Sequence, residues 1–427
     1  MDSLLERIYS SPVPSKEQFR SRVMVGGGTP GPNLVKGKGV WVADSEGKTY
    51  IDCTSQSWAM YLGHGNEEIT RVASEQMAYF SHVHQGFDTL PRYYLADKLA
   101  SLAPANLNRV SFTVGGGPAI EAAMKIAMKN NPQAKHFITL WDAYHGSTLT
   151  TAGASWTSTK AAGQFTGVSH FQRNVNDSFV RVPNPYCYRC PLGQQPETCA
   201  QQCVDMLRQT MEKGVNGPVA GVIVEPLQGS GGQIPLPKAY LQKVRELCDE
   251  FGALLIFDEI QTYCRIGQFF AAGHYDVEPD IIVLGKALGA GVFPVSAIAA
   301  EAEVLGVFEP GSHGSTFGGN PLACAIAVAA LDVTEEERLA ERSEELGQYF
   351  LSRLKTLSHP DIVDTRGRGL LIGMELKGSA RPYCERLMKL GLLCKETHEH
   401  VIRFAPPLIV TEAELDWAFG RIAELLA

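Results

Sequence analysis

The chain has 427 residues, of which 44% are hydrophobic and 20% charged, and its formal net charge at pH 7 is −8. This composition is typical of a folded globular protein and excludes global disorder, while an acidic balance without a basic block argues against a nucleic-acid partner. No uncharged apolar run is long enough to span a membrane, and the N-terminus lacks the pattern of a secretory signal. We therefore expect a cytoplasmic protein with reduced cysteines, unless some of them bind a metal.

Strand and helix patterns alternate from the N-terminal region to about residue 300. A hairpin is predicted at 39–52 and a helix at 66–80. Short apolar strands follow at 109–114, 136–143, 219–226, 253–260, 280–288 and 295–301, and a helix begins at Pro118 after the first of them. This alternation predicts an α/β fold with a mainly parallel sheet and helices on both faces. Ligands bind such sheets outside the carboxyl ends of the strands.

The pattern changes after Asn320. A long helical stretch is followed by two strand-like segments and a last amphipathic helix with Thr411 as its cap. This order predicts a smaller α+β domain. The predicted domains are an N-terminal arm with part of the small domain (1–60), a large domain (61–320) with a cysteine-rich insertion (185–205), and a C-terminal small domain (321–427).

An acid and a lysine follow two of the predicted strands. Asp258 ends the strand of FDEIQ, and Lys286 follows the next strand in GKALGAG. Side chains at the carboxyl ends of parallel strands meet at one edge of a sheet. A partly buried lysine there can form a Schiff base with a carbonyl, and an aspartate can keep a pyridine nitrogen protonated. The alternative is that Asp258 caps a helix and Lys286 is a surface residue.

Glycines and an aromatic residue occur where a phosphate-bearing cofactor could bind. Gly115, Gly116 and Gly117 lie between a strand and a helix, where free backbone N–H groups suit a phosphate. Tyr144 follows the strand at 136–143 and could stack on a flat ring. A tight turn and a core tyrosine are the structural alternatives.

At this point several strings resemble a known family. LGHGNEEI, YHGST, GVIVEPLQGSGG, LIFDEIQT, LGKALGAG, HGSTFGGNPLACA, RGRGLLIGMEL and RFAPPL follow the order of the class III aminotransferases, which are pyridoxal-phosphate enzymes of fold type I. The resemblance extends from about residue 35 to residue 420. It implies a large domain with a mainly parallel seven-stranded sheet, a small domain built from both termini, and a homodimer or a dimer of dimers.

The resemblance also implies roles for single residues. Lys286 would hold pyridoxal 5′-phosphate as a Schiff base, Asp258 would pair with its ring nitrogen, and Arg403 would bind the substrate α-carboxylate. The remaining cofactor contacts would be Gln261 at the ring 3-oxygen, Tyr144 on the ring face, Gly116 and Gly117 at the phosphate, Thr316 from the other subunit, and His145 and Glu225 near the ring.

The chain departs from the family pattern in two places that bear on substrate and cofactor. GGGPA replaces the usual SGTEA or SGSEA, so the phosphate cradle depends on Gly116 and Gly117. Ser230 replaces a glutamate that pairs with the carboxylate-binding arginine in many members. Arg403 should then stay available for an α-carboxylate, as in the dialkylglycine decarboxylase branch. By this resemblance the chain is nearest to that branch and to the amino-acid racemase-like branch. Gln56 and Trp58 are candidates for the pocket wall, although Trp58 could pack between subunits instead.

Four cysteines lie within one short segment of the predicted insertion. Cys187 and Cys190 form a CxxC pair, and Cys199 and Cys203 form a CxxxC pair. Four thiolates at this spacing predict a structural zinc site or, as a second choice, an iron–sulfur cluster. Free thiols are the alternative.

These features predict a pyridoxal-phosphate-dependent aminotransferase that takes an α-amino acid as donor and a keto acid as acceptor. Three alternatives stay open. The chain could be an amino-acid racemase or epimerase, a decarboxylating transaminase of the dialkylglycine type, or a non-catalytic homologue.

Overall fold

The structure is a computed structural model that describes residues 3–23, 31–156, 160–161, 164–165, 178–199, 201–309 and 311–427. Part of the predicted N-terminal arm, residues 24–30, lies outside this set. No helix of the described residues is long and apolar enough to cross a membrane.

A seven-stranded sheet forms the centre of the molecule. Its strands lie in the order Arg109–Thr113, Ser296–Ala300, Ile281–Leu284, Leu254–Asp258, Val219–Val224, His136–Leu140 and Phe179–Val182. Ser296–Ala300 is antiparallel to both of its neighbours, and the pairings from Ile281–Leu284 to Phe179–Val182 are parallel. The predicted mainly parallel sheet is confirmed.

Helices cover the sheet and explain why its inner strands are apolar throughout. Every residue of Val219–Val224 and Ile281–Leu284 is buried, as expected where both faces of a sheet are covered. The helix Gly116–Asn130 buries one apolar face against the sheet. Between the short left-handed turn Ser55–Trp58 and residue 305, the other helices of the described chain are Glu67–Tyr79, Leu90–Leu102, Leu149–Ala154, Gln202–Gln209, Lys238–Phe251, Ala272–Tyr275 and Ala302–Leu305.

Two four-stranded sheets lie beside the large one. The first joins Leu34–Lys38, Trp41–Asp44 and Thr49–Asp52 to the C-terminal strand Leu392–Leu393, so it contains strands from both ends of the chain. The second has the order Ile362–Arg368, Leu371–Leu376, Val401–Phe404 and Lys395–Thr397. The helices of this part are Pro321–Glu336, Leu339–Lys355, Arg381–Lys389 and Glu412–Leu426.

Thr411 caps the last helix as predicted. Its side-chain oxygen accepts the Glu414 N–H, and the Glu414 carboxylate accepts the Thr411 N–H. The domain bounds stay a prediction.

Short elements complete the described chain. They are the helices Leu4–Tyr9 and Lys16–Arg22, the strand pairs Lys160–Ala161 with Gln164–Phe165 and Leu227–Gln228 with Ile234–Pro235, the 3-10 turns Cys187–Arg189 and Lys286–Gly289, and the π turn Thr210–Gly214.

Candidate active site

Asp258 and Lys286 lie at the same edge of the central sheet. Asp258 is the last residue of its strand and is paired in register with Val283 of the neighbouring parallel strand. Lys286 follows that neighbour by two residues and begins a 3-10 turn with φ 42°, in the left-handed region. Parallel register thus brings together two residues that are 28 positions apart in sequence. Both line one cavity of about 320 Å³.

The cavity gathers most of the residues that the resemblance assigns to the cofactor. Its walls are the glycine turn, the segment after strand His136–Leu140, and the ends of the two central strands. The lining residues are Gly115, Gly116, Gly117, Pro118, Tyr144, His145, Gly146, Ser147, Thr148, Asp258, Ile260, Gln261 and Lys286. Ser147, Thr148 and Ile260 were not predicted, although the first two belong to the YHGST string.

Asp258 is held by two groups of its own chain. His145 Nδ1 lies 2.8 Å from Asp258 Oδ2, and the Ile260 N–H donates to Oδ1 at 3.1 Å. The carboxylate is therefore fixed in direction at the cavity wall. His145 is buried, and no partner within the described residues is found for its Nε2. The histidine thus fixes the orientation of the Asp258 carboxylate, as expected for a positioning residue.

The Glu225 carboxylate links two turns next to the cavity, although Glu225 itself does not line it. Its carboxylate accepts the Tyr144 N–H at 2.8 Å and the Gly229 N–H at 3.2 Å. Burial, with a contribution from the Asp258 charge, raises the pKa of Glu225 to about 7. The residue therefore fixes the turn that carries Tyr144.

The surroundings of Lys286 favour its uncharged amine more than water does. Burial lowers the pKa of Lys286 to about 8, although the carboxylates of Asp258 and Glu225 oppose this shift. At pH 7 about one amine in ten would then be uncharged, against about one in 2,500 for an ordinary lysine. A neutral amine is the form that attacks a carbonyl.

The glycine turn leaves little space for a side chain at Gly116, where a Cβ would lie 2.8 Å from the end of the Ile260 side chain, and none at Gly117. A Cβ at Gly117 would lie 2.8 Å from Thr148 Cγ2, whereas a Cβ at Gly115 would lie 3.8 Å from its nearest neighbour, Pro118 Cδ. The Thr148 hydroxyl is fixed by Glu121 Oε1 at 2.6 Å, so its methyl group cannot move freely. Backbone N–H groups at the start of the 15-residue helix Gly116–Asn130 face this space.

We expect Gly117→Ala to weaken binding of pyridoxal phosphate about 10-fold or more, because the added methyl group would displace Thr148 from the cradle. Absorbance titration of the apoenzyme gives the dissociation constant. Gly115→Ala is the matched control, since its Cβ has room and the extended φ of 178° suits alanine. An equal change in both variants would contradict this explanation.

Arg403 and the turn that contains Trp58 form a second cavity of about 180 Å³ beside the first. Its lining residues are Cys53, Thr54, Gln56, Ser57, Trp58, Lys395, Arg403 and Ala405. The Trp58 ring contacts the cations of both cavities, with its centroid 5.8 Å from Lys286 Nζ and 4.6 Å from Arg403 Cζ. A substrate that reaches both cations would therefore pass along this ring.

Trp58 belongs to a left-handed turn that could not be predicted from its sequence, because the turn contains no glycine. Ser55, Gln56, Ser57 and Trp58 have φ values of 42°, 46°, 66° and 69°. Such a run of non-glycine residues is costly and persists only where surrounding contacts impose it. Asp52 supplies one of these contacts, since its Oδ2 accepts from Gln56 Nε2 at 3.0 Å.

Ser230 contacts Gln261 and not Arg403. Gln261 Nε2 donates to Ser230 Oγ at 3.4 Å, and Thr397 Oγ1 donates to Ser230 O at 2.5 Å. Thr316 is exposed and does not line the cofactor cavity of this subunit.

The predicted metal site is not supported. Cys187 is exposed, and Cys190, Cys199 and Cys203 are half-buried. Within the part of the chain that the structure describes, no three His, Cys, Asp or Glu side chains are grouped so that they could hold a metal ion. Burial raises the pKa of Cys187 and raises that of Cys203 to about 11, which favours neutral thiols.

Other contacts fix the start of the cysteine segment. Arg189 Nη2 lies 2.5 Å from Glu375 Oε1, the Tyr186 hydroxyl donates to the same carboxylate, and the Tyr188 hydroxyl donates to Val363 O at 2.6 Å. The segment is therefore attached to the strand pair Ile362–Arg368 and Leu371–Leu376 without a metal.

Comparison with known proteins gives a consistent family. The profile described as "Aminotransferase class-III" matches residues 27–426. An ornithine aminotransferase of Exiguobacterium sp. is 43% identical over 403 residues, which is 92% of each chain, and one of Geobacillus sp. is 41% identical over 92% of this chain and 93% of its own.

Solved structures agree with this result. The ornithine aminotransferase of Toxoplasma gondii ME49 is 32% identical, with a TM-score of 0.86 over 100% of this chain and 98% of its own. The omega transaminase of Pseudomonas jessenii, in complex with PMP, is 28% identical, with a TM-score of 0.86 over the same shares of the two chains. These relatives do not favour the racemase and decarboxylase alternatives, and the predicted nearness to those branches stays a prediction.

Proposed function

The chain belongs to the class III aminotransferases and is a pyridoxal-phosphate-dependent enzyme that acts on an amino acid with a keto-acid acceptor; we propose that the group it transfers is an α-amino group, from a donor whose α-carboxylate binds Arg403.

The observation that carries this proposal is the unpaired guanidinium of Arg403. Arg403 is only 6% exposed, and no carboxylate of the described residues lies within ion-pair distance of it. Its Nη2 has one long contact of 3.5 Å, to the main-chain oxygen of Glu396, and no partner is found for Nε in the same set of residues. Since a buried charge without a partner is unfavourable, this guanidinium favours an anionic ligand.

The residues of the first cavity fit pyridoxal phosphate. The glycine cradle offers backbone N–H groups to the phosphate, Asp258 offers a fixed carboxylate to the ring nitrogen, and Lys286 offers an amine of lowered pKa to the carbonyl carbon. Gln261 has one side-chain oxygen without a partner among the described residues, and Tyr144 stands at the cavity wall. When bound, the cofactor draws electrons from the substrate carbon whose bond breaks.

Four side chains of the protein then have separate roles in the reaction. Arg403 holds the α-carboxylate, and Asp258 keeps a proton on the ring nitrogen. Lys286 Nζ would take the proton from the substrate α-carbon as general base and, as general acid, deliver it to the cofactor carbon that bears the transferred nitrogen. The Trp58 ring lies between Lys286 and Arg403 and limits the orientation of a substrate that contacts both.

The lowered pKa of Lys286 has a measurable consequence for cofactor uptake. The rate at which apoenzyme captures pyridoxal phosphate should rise with pH and level off above a midpoint near 8, because only the neutral amine attacks the carbonyl. Stopped-flow absorbance across the pH range checks this. A midpoint at the pKa of an ordinary lysine, about 10.4, would contradict the expected effect of burial.

Ornithine is the first donor to test, because relatives that are 39–43% identical carry the name ornithine aminotransferase. Ornithine has an α-amine and a terminal amine. With Arg403 as the carboxylate site and Lys286 as the proton carrier, we propose that the α-amine reacts.

We further propose a homodimer or dimer of dimers, in which Thr316 of the partner subunit completes the phosphate site. Two observations support this. Thr316 itself is exposed and lies away from its own subunit's cavity. Several large apolar side chains are also exposed, as expected of a surface that binds a second copy: Tyr79, Phe87, Leu90, Tyr93, Tyr94 and Phe317. A cytoplasmic location stays a prediction.

Two donors of similar length test the α-amine assignment. L-norvaline has the carbon chain of ornithine and its α-carboxylate but no terminal amine, whereas putrescine has terminal amines and no carboxylate. Each is mixed with holoenzyme without a keto acid, and cofactor absorbance is followed. We expect norvaline, and not putrescine, to convert the cofactor to its amine form. Conversion by putrescine alone would overturn the proposal.

A further inference from the structure

Asp52 is a buried carboxylate that has no role in the reaction described above. It is the last residue of the strand Thr49–Asp52, and its side chain has no exposed surface. Asp52 Oδ1 accepts the Thr54 N–H at 3.0 Å and the Thr54 hydroxyl at 2.6 Å. Asp52 Oδ2 lies 3.0 Å from Gln56 Nε2 and 3.0 Å from His64 Nε2. Each oxygen therefore contacts two donors.

These four contacts keep the Asp52 carboxylate charged. Burial alone would raise the pKa of Asp52, but the hydrogen bonds from His64, Thr54 and Gln56 outweigh it and lower the pKa below its usual value. The charge also acts on Arg265: burial lowers the pKa of Arg265 to about 10, and Asp52 opposes this shift. An amide in place of the carboxylate would have one acceptor oxygen and could not serve donors on both sides.

The contacts of Asp52 lie at the start of the left-handed turn Ser55–Trp58. All four residues of this turn have positive φ and none is glycine, although left-handed backbone is unfavourable for such residues. Thr54 Oγ1, which donates to Asp52, also accepts the Gln56 N–H at 3.1 Å. Thr54 O accepts the Trp58 N–H at 3.0 Å. The residue that Asp52 fixes thus contacts the beginning and the end of the turn.

The turn connects Asp52 to the cations that the proposed reaction uses. Ser55 Oγ donates to Ala405 O at 2.6 Å, two residues after Arg403. The Trp58 ring contacts Arg403 and Lys286. Asp52 itself lines neither of the two cavities. Asp52 would therefore act on the substrate through the turn and not by contact.

We propose that Asp52 is a positioning residue that holds the turn Ser55–Trp58, so that the Trp58 ring orients the substrate between the two cations. This inference rests on the proposed function, because it takes Arg403 and Lys286 as the groups that the substrate contacts. Glycine adopts a positive φ without steric cost, whereas alanine does not. A glycine within the turn should therefore make its conformation less dependent on Asp52.

Substitutions at Asp52 and Ser57 test this role in the holoenzyme. We expect Asp52→Asn to lower kcat/KM for norvaline about 10-fold, mainly through KM, since the substrate loses a wall of its site. Ser57→Gly in the same chain should recover most of that loss, because Ser57 has a φ of 66°. Ser57→Ala removes the same hydroxyl without relieving the strain, so it should recover none. Equal effects of glycine and alanine, or unchanged kinetics in Asp52→Asn, would overturn the proposal.

Asp44→Asn is the matched control for Asp52→Asn. Asp44 is buried, ends the neighbouring strand Trp41–Asp44, and accepts the Glu46 and Lys48 N–H groups of its own turn. It lines neither cavity, so Asp44→Asn should leave norvaline kinetics unchanged. A loss equal to that of Asp52→Asn would assign the effect to fold stability and overturn the positioning role.

Hydrogen exchange of the turn gives a second readout, which does not depend on which amine reacts. The Trp58 N–H is bonded to Thr54 O, and mass spectrometry measures how fast it exchanges. We expect exchange over residues 54–60 to be about 10-fold faster in Asp52→Asn and in His64→Leu, which removes one donor from outside both cavities. Unchanged exchange in both variants would overturn the role of Asp52. A wrong α-amine assignment would leave this exchange as predicted and would change only which donor reacts.

Discussion

Replacement of Lys286 by alanine should reduce turnover about 1,000-fold or more while the protein stays folded. The amine is the only basic nitrogen besides His145 that lines the cofactor cavity of the described chain, and His145 is occupied by Asp258 at 2.8 Å. Without Lys286 no side chain of this wall is placed to carry a proton at the substrate carbon. Steady-state kinetics with norvaline and 2-oxoglutarate measure the loss.

Lys377→Ala serves as the control for this experiment, because Lys377 is exposed and lines neither of the two cavities. Circular dichroism and thermal unfolding of both variants should match the unmodified protein. If Lys286→Ala kept turnover within about 10-fold of the unmodified enzyme, the proton-transfer role would be wrong.

Arg403→Leu should lower kcat/KM for α-amino acids about 100-fold or more. Removing one partner of a buried charge contact costs about 2–5 kcal/mol, and here the partner would be the substrate carboxylate. Arg403→Lys should recover only part of the loss, because an ammonium cannot bind both carboxylate oxygens in the same planar arrangement. The kinetic constants for norvaline with each variant check these expectations.

The control for Arg403 is Arg338→Leu, which replaces an exposed arginine at the start of the helix Leu339–Lys355 that lies 3.9 Å from the Glu341 carboxylate. This change should leave norvaline kinetics as they are. If Arg403→Leu also weakened the binding of pyridoxal phosphate in an absorbance titration, the residue would act through the fold and not through a carboxylate.

Residues at the ends of parallel strands were predictable from sequence, since period and turn chemistry suffice to place them. Asp258 ends one apolar strand and Lys286 follows its parallel neighbour, so strand register brings them together. The glycine turn follows the edge strand Arg109–Thr113, which pairs antiparallel with Ser296–Ala300, and lines the same cavity. The family resemblance added the roles of Arg403 and Gln261, which lie in different parts of the chain. No local pattern connects those two residues to the cofactor.

Features that depend on tertiary contacts were missed. The left-handed turn at Ser55–Trp58 contains no glycine, so no local preference announces it. Lys395 lines the second cavity because strand register places it opposite Arg403, which the sequence does not show. The cysteine spacing suggested a metal, but the structure attaches that segment through Arg189 and Glu375.

The central claim is that Arg403 binds the α-carboxylate and that the α-amine is therefore the one that reacts. Ornithine labelled with nitrogen-15 on either amine tests this directly, with 2-oxoglutarate as acceptor and mass spectrometry of the glutamate formed. We predict that the label reaches glutamate from the α-position and not from the terminal position. Transfer of the terminal nitrogen would contradict the assignment of Arg403, while the family membership of the chain would stand.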